Sequence, residues 1–185
     1  MQRRKHAKIL RITRKIHRIT GISLFLLFFV MSLSGLLLGW KKNSGGLIHP
    51  GSATGSSSWL SDWKPLDTLA TVASSALQIR LALEHAPAIY RMDVRPDKGI
   101  IKFRFDENYW GVQVDGATGE VLQIARRHHD WIEQVHDGSI VNYLLGTDSD
   151  VFKLFYTSLT GLALLLFVIT GFWLWYGPKV MRHLN

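Results

Sequence analysis

Hydrophobic residues concentrate in two uncharged stretches near the ends of the chain, residues 19–40 and 154–178. A helix needs about 20 apolar residues to cross the hydrocarbon core of a bilayer. Both stretches meet that length, and a buried helix of a soluble protein seldom lacks charge over such a run. No Ala-x-Ala-like cleavage site follows the first stretch, which argues against a cleaved signal peptide. We therefore predict two transmembrane helices, at 19–40 and 151–178.

Between these stretches the pattern changes to that of a small folded domain. Residues 41–64 are rich in Gly and Ser and are typical of a flexible linker. Residues 65–127 begin with helical spacing over 65–84, and residues 128–150 form an amphipathic segment broken near Gly138. Short alternating runs separated by Pro, Asp and Gly predict the strands of an antiparallel sheet; these runs are 89–94, 100–105, 109–114 and 120–124.

The charge distribution gives these elements an orientation. The net charge is +8, and the segment 1–18 holds eight Lys or Arg residues and no acid. Because basic residues flanking a span stay on the cytoplasmic side, we expect segments 1–18 and 179–185 to be cytoplasmic. Nucleic acid is the alternative partner of a basic segment, but here the segment abuts a membrane anchor, which favours anionic lipid.

The predicted class is thus an α+β membrane protein. Two transmembrane helices flank a small extracytoplasmic domain in which a helix packs on an antiparallel sheet. The chain has no cysteine, which excludes disulfides, iron–sulfur clusters and thiolate zinc sites within it. No ionisable residue lies inside either apolar stretch, which argues against an ion pathway, and no catalytic or phosphate-binding motif is found.

Several motifs occur in an order typical of one family. They are the His-Arg entry to the first span at 14–21, the hairpin turn at 114–122, the His-Asp-Gly segment at 135–138, and the Thr-Gly motifs at 160–162 and 170–175. In this order they resemble the PepSY-associated transmembrane helix family. The resemblance implies that the central domain is PepSY-like. Larger relatives with four or more spans include iron-regulated membrane proteins and siderophore reductases that carry b-type haem.

By that resemblance, His17 and His136 are the expected axial ligands of haem b. His183 and His49 are further candidates, one after the second span and one on the outer side. His17 and His136 lie on opposite sides of about 30 Å of hydrocarbon, so they cannot share one iron within a chain. A chain with two spans needs a second copy or a membrane partner subunit to complete a four-helix haem site. The alternative is that each imidazole is only an amphipathic residue at the interface.

Small residues give each span a face for helix packing. Gly35 and Gly39 form a GxxxG pattern in the first span, and Gly161 and Gly171 offer a matching face in the second. Asp130, Glu133 and Asp137 are spaced to form an acidic helix face, for which solvation is favoured over a metal site.

Two functions remain open from the sequence. The first is a haem b protein or subunit of the bacterial inner membrane that passes electrons across the bilayer, with an oxidoreductase subunit acting on ferric siderophores as its enzymatic form. The second is a membrane-anchored PepSY module that binds or regulates an envelope protein without catalysis. A scaffold that dimerises through its glycine face is compatible with either.

Overall fold

A computed structural model describes residues 2–105, 108–147 and 150–182 of the chain. The protein forms two compact units. The helical unit comprises Met1–Leu36 with Glu133–Asn185, and the sheet unit comprises Leu37–Ile132.

Helix α1 is the longest element and runs from Gln2 to Trp40 without a break. No proline interrupts it, and its apolar residues are mostly Leu, Ile and Phe. At 1.5 Å per residue it is about 58 Å long, so it extends well beyond a bilayer core of about 30 Å. Large apolar side chains such as Ile22 and Leu26 are 74% and 70% exposed. This exposure is expected of a helix surrounded by lipid.

Helix α5 runs from Val151 to Arg182 and is the second element long and apolar enough to cross a membrane. Pro178 lies inside it, although the sequence predicted that the span ends there. A proline removes one backbone donor and kinks a helix, yet the helix continues to Arg182. The two predicted apolar helices are therefore confirmed.

Helices α3 (His128–Asp137) and α4 (Ile140–Leu145) precede α5 and are separated by Gly138. Gly138 has φ of +80°, and a Cβ there would lie 2.6 Å from the Tyr156 ring. The positive φ and the close approach of the ring both require glycine at this position. The Asp137 carboxylate accepts the backbone N–H of Ser139 at 2.9 Å and pairs with Lys153 at 2.9 Å. These contacts fix the break that the sequence placed near Gly138.

The sheet unit is a four-stranded antiparallel meander in the order β1-β2-β3-β4. Its strands are Ile89–Arg95, Ile100–Phe105, Trp110–Asp115 and Val121–Arg126. Helix α2 (Leu66–Leu81) packs on β3 and β4. Leu69 and Leu77 bury against Phe103, Val112 and Val114 to form the core. The predicted α+β fold with two flanking apolar helices is confirmed.

The other face of the sheet is covered by part of segment 41–64, which the sequence predicted to be a flexible linker. It contains no long helix or strand, but it makes specific hydrogen bonds to the sheet. The backbone N–H of Gly55 donates to the backbone carbonyl of Lys98 at 2.8 Å, and that of Ala53 donates to the side-chain oxygen of Gln113 at 2.9 Å. Asp115 accepts the Ser56 N–H at 2.8 Å. Small residues allow this close approach, so the segment packs on the domain instead of extending away from it.

Candidate functional site

His17 of α1 is held by a residue of α5. Its Nδ1 lies 2.8 Å from the hydroxyl oxygen of Thr170, which is 7% exposed. The Thr170 hydroxyl donates its proton to the Leu166 carbonyl at 2.7 Å. A hydroxyl has one proton to give. For both contacts to be hydrogen bonds, the Thr170 oxygen must accept the proton on His17 Nδ1, and the imidazole is then the Nδ1–H tautomer.

His136 of α3 repeats this arrangement with its own partner on α1. Its Nδ1 lies 3.0 Å from the hydroxyl oxygen of Ser34, which is 5% exposed. Ser34 in turn donates to the Val30 carbonyl at 2.7 Å. By the same count of protons, His136 is also in the Nδ1–H tautomer.

In both histidines the unprotonated nitrogen is therefore Nε2. Within the described ranges neither Nε2 makes a hydrogen bond. A neutral imidazole with a free nitrogen lone pair is the form that binds iron or another metal, and the N–H contact on the opposite nitrogen fixes ring orientation and raises ligand basicity. Each histidine thus presents one oriented donor atom.

Each imidazole also lies in an apolar groove large enough for a ligand. His17 lines a groove of about 470 Å³ together with Arg18, Phe25 and Phe167. His136 lines a second groove of about 590 Å³, whose other walls include Phe28, Met31, Thr160, Leu164 and Phe167.

Phe167 is the side chain common to both grooves. Its ring centroid lies 3.9 Å from that of His17, with the planes tilted by 31°. A Cβ on Gly21 would lie 3.1 Å from the same ring, so a small residue at position 21 gives Phe167 its space.

The predicted packing glycines divide into two groups. A Cβ on Gly35 would lie 3.3 Å from His136, and one on Gly171 would lie 3.5 Å from His17. The absence of a side chain at these two glycines therefore leaves space for the imidazole rings. A Cβ on Gly39 or Gly161 would meet nothing within 4 Å among the described residues. Gly39 is therefore open to another helix, whereas Gly161 lines the groove of His136.

The two imidazoles lie at well-separated levels of α1. His17 is in that helix, whereas His136 contacts it at Ser34, seventeen residues later, which corresponds to about 26 Å. The two imidazoles therefore line separate grooves. Each groove is lined by one histidine within the part of the chain that is described.

The other two predicted ligands are His183 and His49. His183 lies outside the described residues. His49 belongs to the sheet unit, where its Nδ1 lies 3.1 Å from Nδ1 of His129. Burial, followed by the charges of His129, Lys102 and Arg127, lowers the pKa of His49 to about 4. His49 is thus neutral at physiological pH, and no metal-binding group of three or more His, Asp or Glu side chains is found among the described residues.

The sequence reasoning missed the partnership of His49 and His129, because it treated segment 41–64 as loose. It also grouped Asp130 with Glu133 and Asp137. Asp130 instead pairs with Arg127 at 2.7 Å and accepts a hydrogen bond from Nε2 of His129 at 3.0 Å. Burial raises its pKa, but the hydrogen bonds from His129 and Arg127 outweigh burial and hold the pKa well below the usual range. Asp130 therefore has a structural ion pair.

The fold and the helical unit together define a class: a membrane protein in which two apolar helices flank an α+β domain, with one imidazole at each of two levels. The family model described as the PepSY-associated TM region matches residues 3–182. The chain belongs to this family, and the predicted membership is confirmed. A comparison with curated proteins gave no match.

Proposed function

We propose that this protein binds haem b in the membrane and passes electrons across the bilayer, with His17 and His136 as axial ligands of two separate haems. The observation that carries the proposal is that Nδ1 of each imidazole lies within hydrogen-bonding distance of a hydroxyl oxygen, an arrangement that leaves Nε2 for a ligand. Each is held by a hydroxyl whose own proton is used elsewhere. An imidazole that serves only as an interface residue has no need of this repeated arrangement.

The grooves have the chemistry that a porphyrin requires. Apolar side chains such as Phe25, Phe28 and Leu164 suit the macrocycle, and Arg18 at the His17 groove offers a cation to a propionate. When bound, haem supplies one-electron transfer, and its potential depends on axial ligand, hydrogen bonding and burial. The protein's part is to orient Nε2, to exclude water and to hold the Nδ1 proton on Thr170 or Ser34.

The charge asymmetry orients the chain across the membrane. With the basic segment 1–18 and the tail in the cytoplasm, His17 lies at the inner level and His136 at the outer level. The sheet unit then lies on the periplasmic side of a bacterial inner membrane. Electrons pass from a cytoplasmic donor to an outer acceptor, for which ferric siderophores are the candidates by family resemblance.

We propose that the complete site is formed by more than one chain. Each groove offers a single histidine among the described residues, and a second imidazole from another copy or from a partner subunit would complete a two-histidine site. The open position at Gly39 and the large exposed apolar surface of α1 support such an association. Any ferric reductase activity then belongs to the assembly.

The test is an absorption spectrum of the full-length protein purified in detergent, before and after addition of haemin. We expect a Soret band that falls in His17→Ala and in His136→Ala and disappears in the double variant. His85→Ala is the matched control, because His85 is exposed in the sheet unit, and it should leave the band unchanged. A colourless protein after added haemin would contradict the proposal.

A second candidate is a module that binds an envelope protein without catalysis. It is favoured by an apolar patch on edge strand β1, since α2 covers β3 and β4. Tyr90, Met92 and Val94 are 71%, 43% and 44% exposed there. If this function is correct, Met92→Lys should abolish activity in cells, whereas His17→Ala and His136→Ala should not. Loss of activity in the histidine variants would favour haem binding instead.

A further inference from the structure

The polar face of the sheet contains a cavity of about 390 Å³ whose lining is strongly cationic. Asp93 is its one lining carboxylate among the described residues. The lining cations are Lys42, Arg95, Lys98, Lys102, Arg104 and Arg127. A cavity of this size and charge suits a small anion.

Not all of these cations are neutralised by the protein. Arg127 pairs with Asp130 at 2.7 Å, and Arg95 pairs with Asp97 at 3.3 Å. Arg104 has a longer contact with Asp130, at 3.9 Å. Lys98 and Lys102 have no ion pair within 4 Å in the described part of the chain. Lys102 is 7% exposed, and its ammonium donates to the Ser52 hydroxyl at 2.6 Å. Asp93 lies opposite Lys102 in the strand register, but the two make no ion pair within 4 Å. A buried charge without a close counter-charge is costly unless a ligand compensates it.

The strand register increases the concentration of positive charge on this face. Arg91 of β1 lies directly opposite Arg104 of β2, and like charges in cross-strand pairs destabilise a sheet. Burial, together with the positive charge of Arg127, lowers the pKa of Arg104. Its Nε is buried and has no hydrogen-bond partner in the ranges described. Folding alone does not explain an unpaired donor in such a setting.

We propose that this cavity is a binding site for a small anion that presents phosphate or carboxylate oxygens to Lys98, Lys102 and Arg104. Ammonium and guanidinium groups make their strongest hydrogen bonds to such oxygens. The ligand adds a close counter-charge for Lys102 and supplies the acceptor that Nε of Arg104 lacks. This site is separate from the haem grooves, and its test does not depend on haem.

Two sources could provide the same chemistry. One is a soluble anion with several phosphate or carboxylate groups, and the other is the headgroup of an anionic lipid. Both place charged oxygens on the same cations, and both are weakened by salt. They differ in whether binding occurs without lipid.

The experiment is calorimetric titration of the full-length protein in neutral detergent and in buffer free of phosphate and citrate. The soluble probes are pyrophosphate and citrate. The lipid probe is monomeric dihexanoyl phosphatidylglycerol, with dihexanoyl phosphatidylcholine as its zwitterionic control. Variants Lys98→Gln and Lys102→Gln each remove a cation without leaving an orphan carboxylate. Arg80→Gln is the matched control, because Arg80 is exposed on α2, which packs on the opposite face.

We expect saturable binding that weakens about tenfold or more in each lysine variant and is unchanged in Arg80→Gln. Binding of pyrophosphate or citrate identifies a soluble anion, whereas binding of phosphatidylglycerol alone identifies a lipid headgroup. Should Lys102→Gln fail to fold, Lys98→Gln decides. The proposal is overturned if no probe binds saturably below about 10 mM, or if Arg80→Gln weakens binding as much as the lysine variants do.

Discussion

The two units of this protein use histidine in opposite ways. In the helical unit, His17 and His136 contact neutral hydroxyls, and each keeps one nitrogen free. In the sheet unit, His129 is 4% exposed and is surrounded by Arg127, Asp130 and His49, so its ring nitrogens are engaged. The first arrangement leaves a donor atom for a ligand, and the second uses the ring to hold the fold together.

The difference follows from the surroundings of each unit. A charged partner is costly in hydrocarbon, so an imidazole between lipid-facing helices is best oriented by a hydroxyl. In a water-exposed domain, charged partners are tolerated because their unpaired sides can be solvated. The free energy of unfolding should therefore depend mainly on the core and the ion pairs of the sheet unit. Ligand binding should depend on the hydroxyls of the helical unit.

The largest expected effect on stability is that of the sheet core. Phe103 is fully buried between α2 and its neighbouring strands. Phe103→Ala should reduce the free energy of unfolding of the sheet unit by about 3–5 kcal/mol. Leu26→Ala, at a 70% exposed position of α1, is the apolar control and should change stability by about 0.5 kcal/mol or less. Thermal unfolding followed by near-ultraviolet circular dichroism measures both, and equal losses would contradict the division into units.

The next effect is that of the Asp130 ion pair. Asp130→Asn leaves the Arg127 side chain, which is 7% exposed, without a counter-charge. We expect a loss of about 2–3 kcal/mol. Asp67→Asn removes an exposed carboxylate of α2 and is the control. Chemical denaturation provides the measurement, and a change no larger than that of the control would mean that the ion pair does not stabilise the sheet unit.

Removal of the hydroxyls should affect haem binding more than folding. Ser34→Ala removes the acceptor of His136, and Thr170→Val removes that of His17 with little change in shape. Each should weaken haem affinity at its own site by about 10–100-fold, as expected when a group that orients a ligand is lost. Ser23→Ala, at an exposed position of α1, should have no effect. Haemin titration tests this, and unchanged affinities would show that the hydroxyls do not orient the ligands.

The smallest effect is a pH dependence that arises from His49. Its folded pKa of about 4 lies below the ordinary histidine pKa of 6.5, so between these pH values the unfolded state binds more protons. This contribution to stability is fully present above pH 6.5 and is lost as the pH falls towards 4. The melting temperature should therefore decrease from pH 7 to pH 5 by a smaller amount in His49→Asn than in the natural sequence. Parallel curves for the two proteins would contradict the assignment.

Elements with a clear hydrophobic pattern were predictable from the sequence. The apolar stretches gave both membrane helices, and alternation placed Ile101, Phe103 and Phe105 on one face of β2, where all three are buried. The same alternation placed Lys102 on the polar face but could not show its burial. That burial depends on the segment around Ser52, which lacks any periodic pattern.

The candidate site was predictable only in part. His17 and His136 were identified through family motifs, but their tautomers depend on Thr170 and Ser34, which are 153 and 102 residues away in sequence. Contacts at such separations leave no local pattern. His49 was expected with the haem ligands because its position after the first span was all that the sequence offered, and the structure pairs it with His129.

The most direct test of the central claim compares haem content in the single and double histidine variants. Pyridine haemochrome absorbance per mole of purified chain should fall by about half in His17→Ala and in His136→Ala, and to zero in the double variant, if each imidazole serves its own site. Haem content that stays unchanged in the double variant, or that is absent from the natural sequence after reconstitution with haemin, would contradict the account.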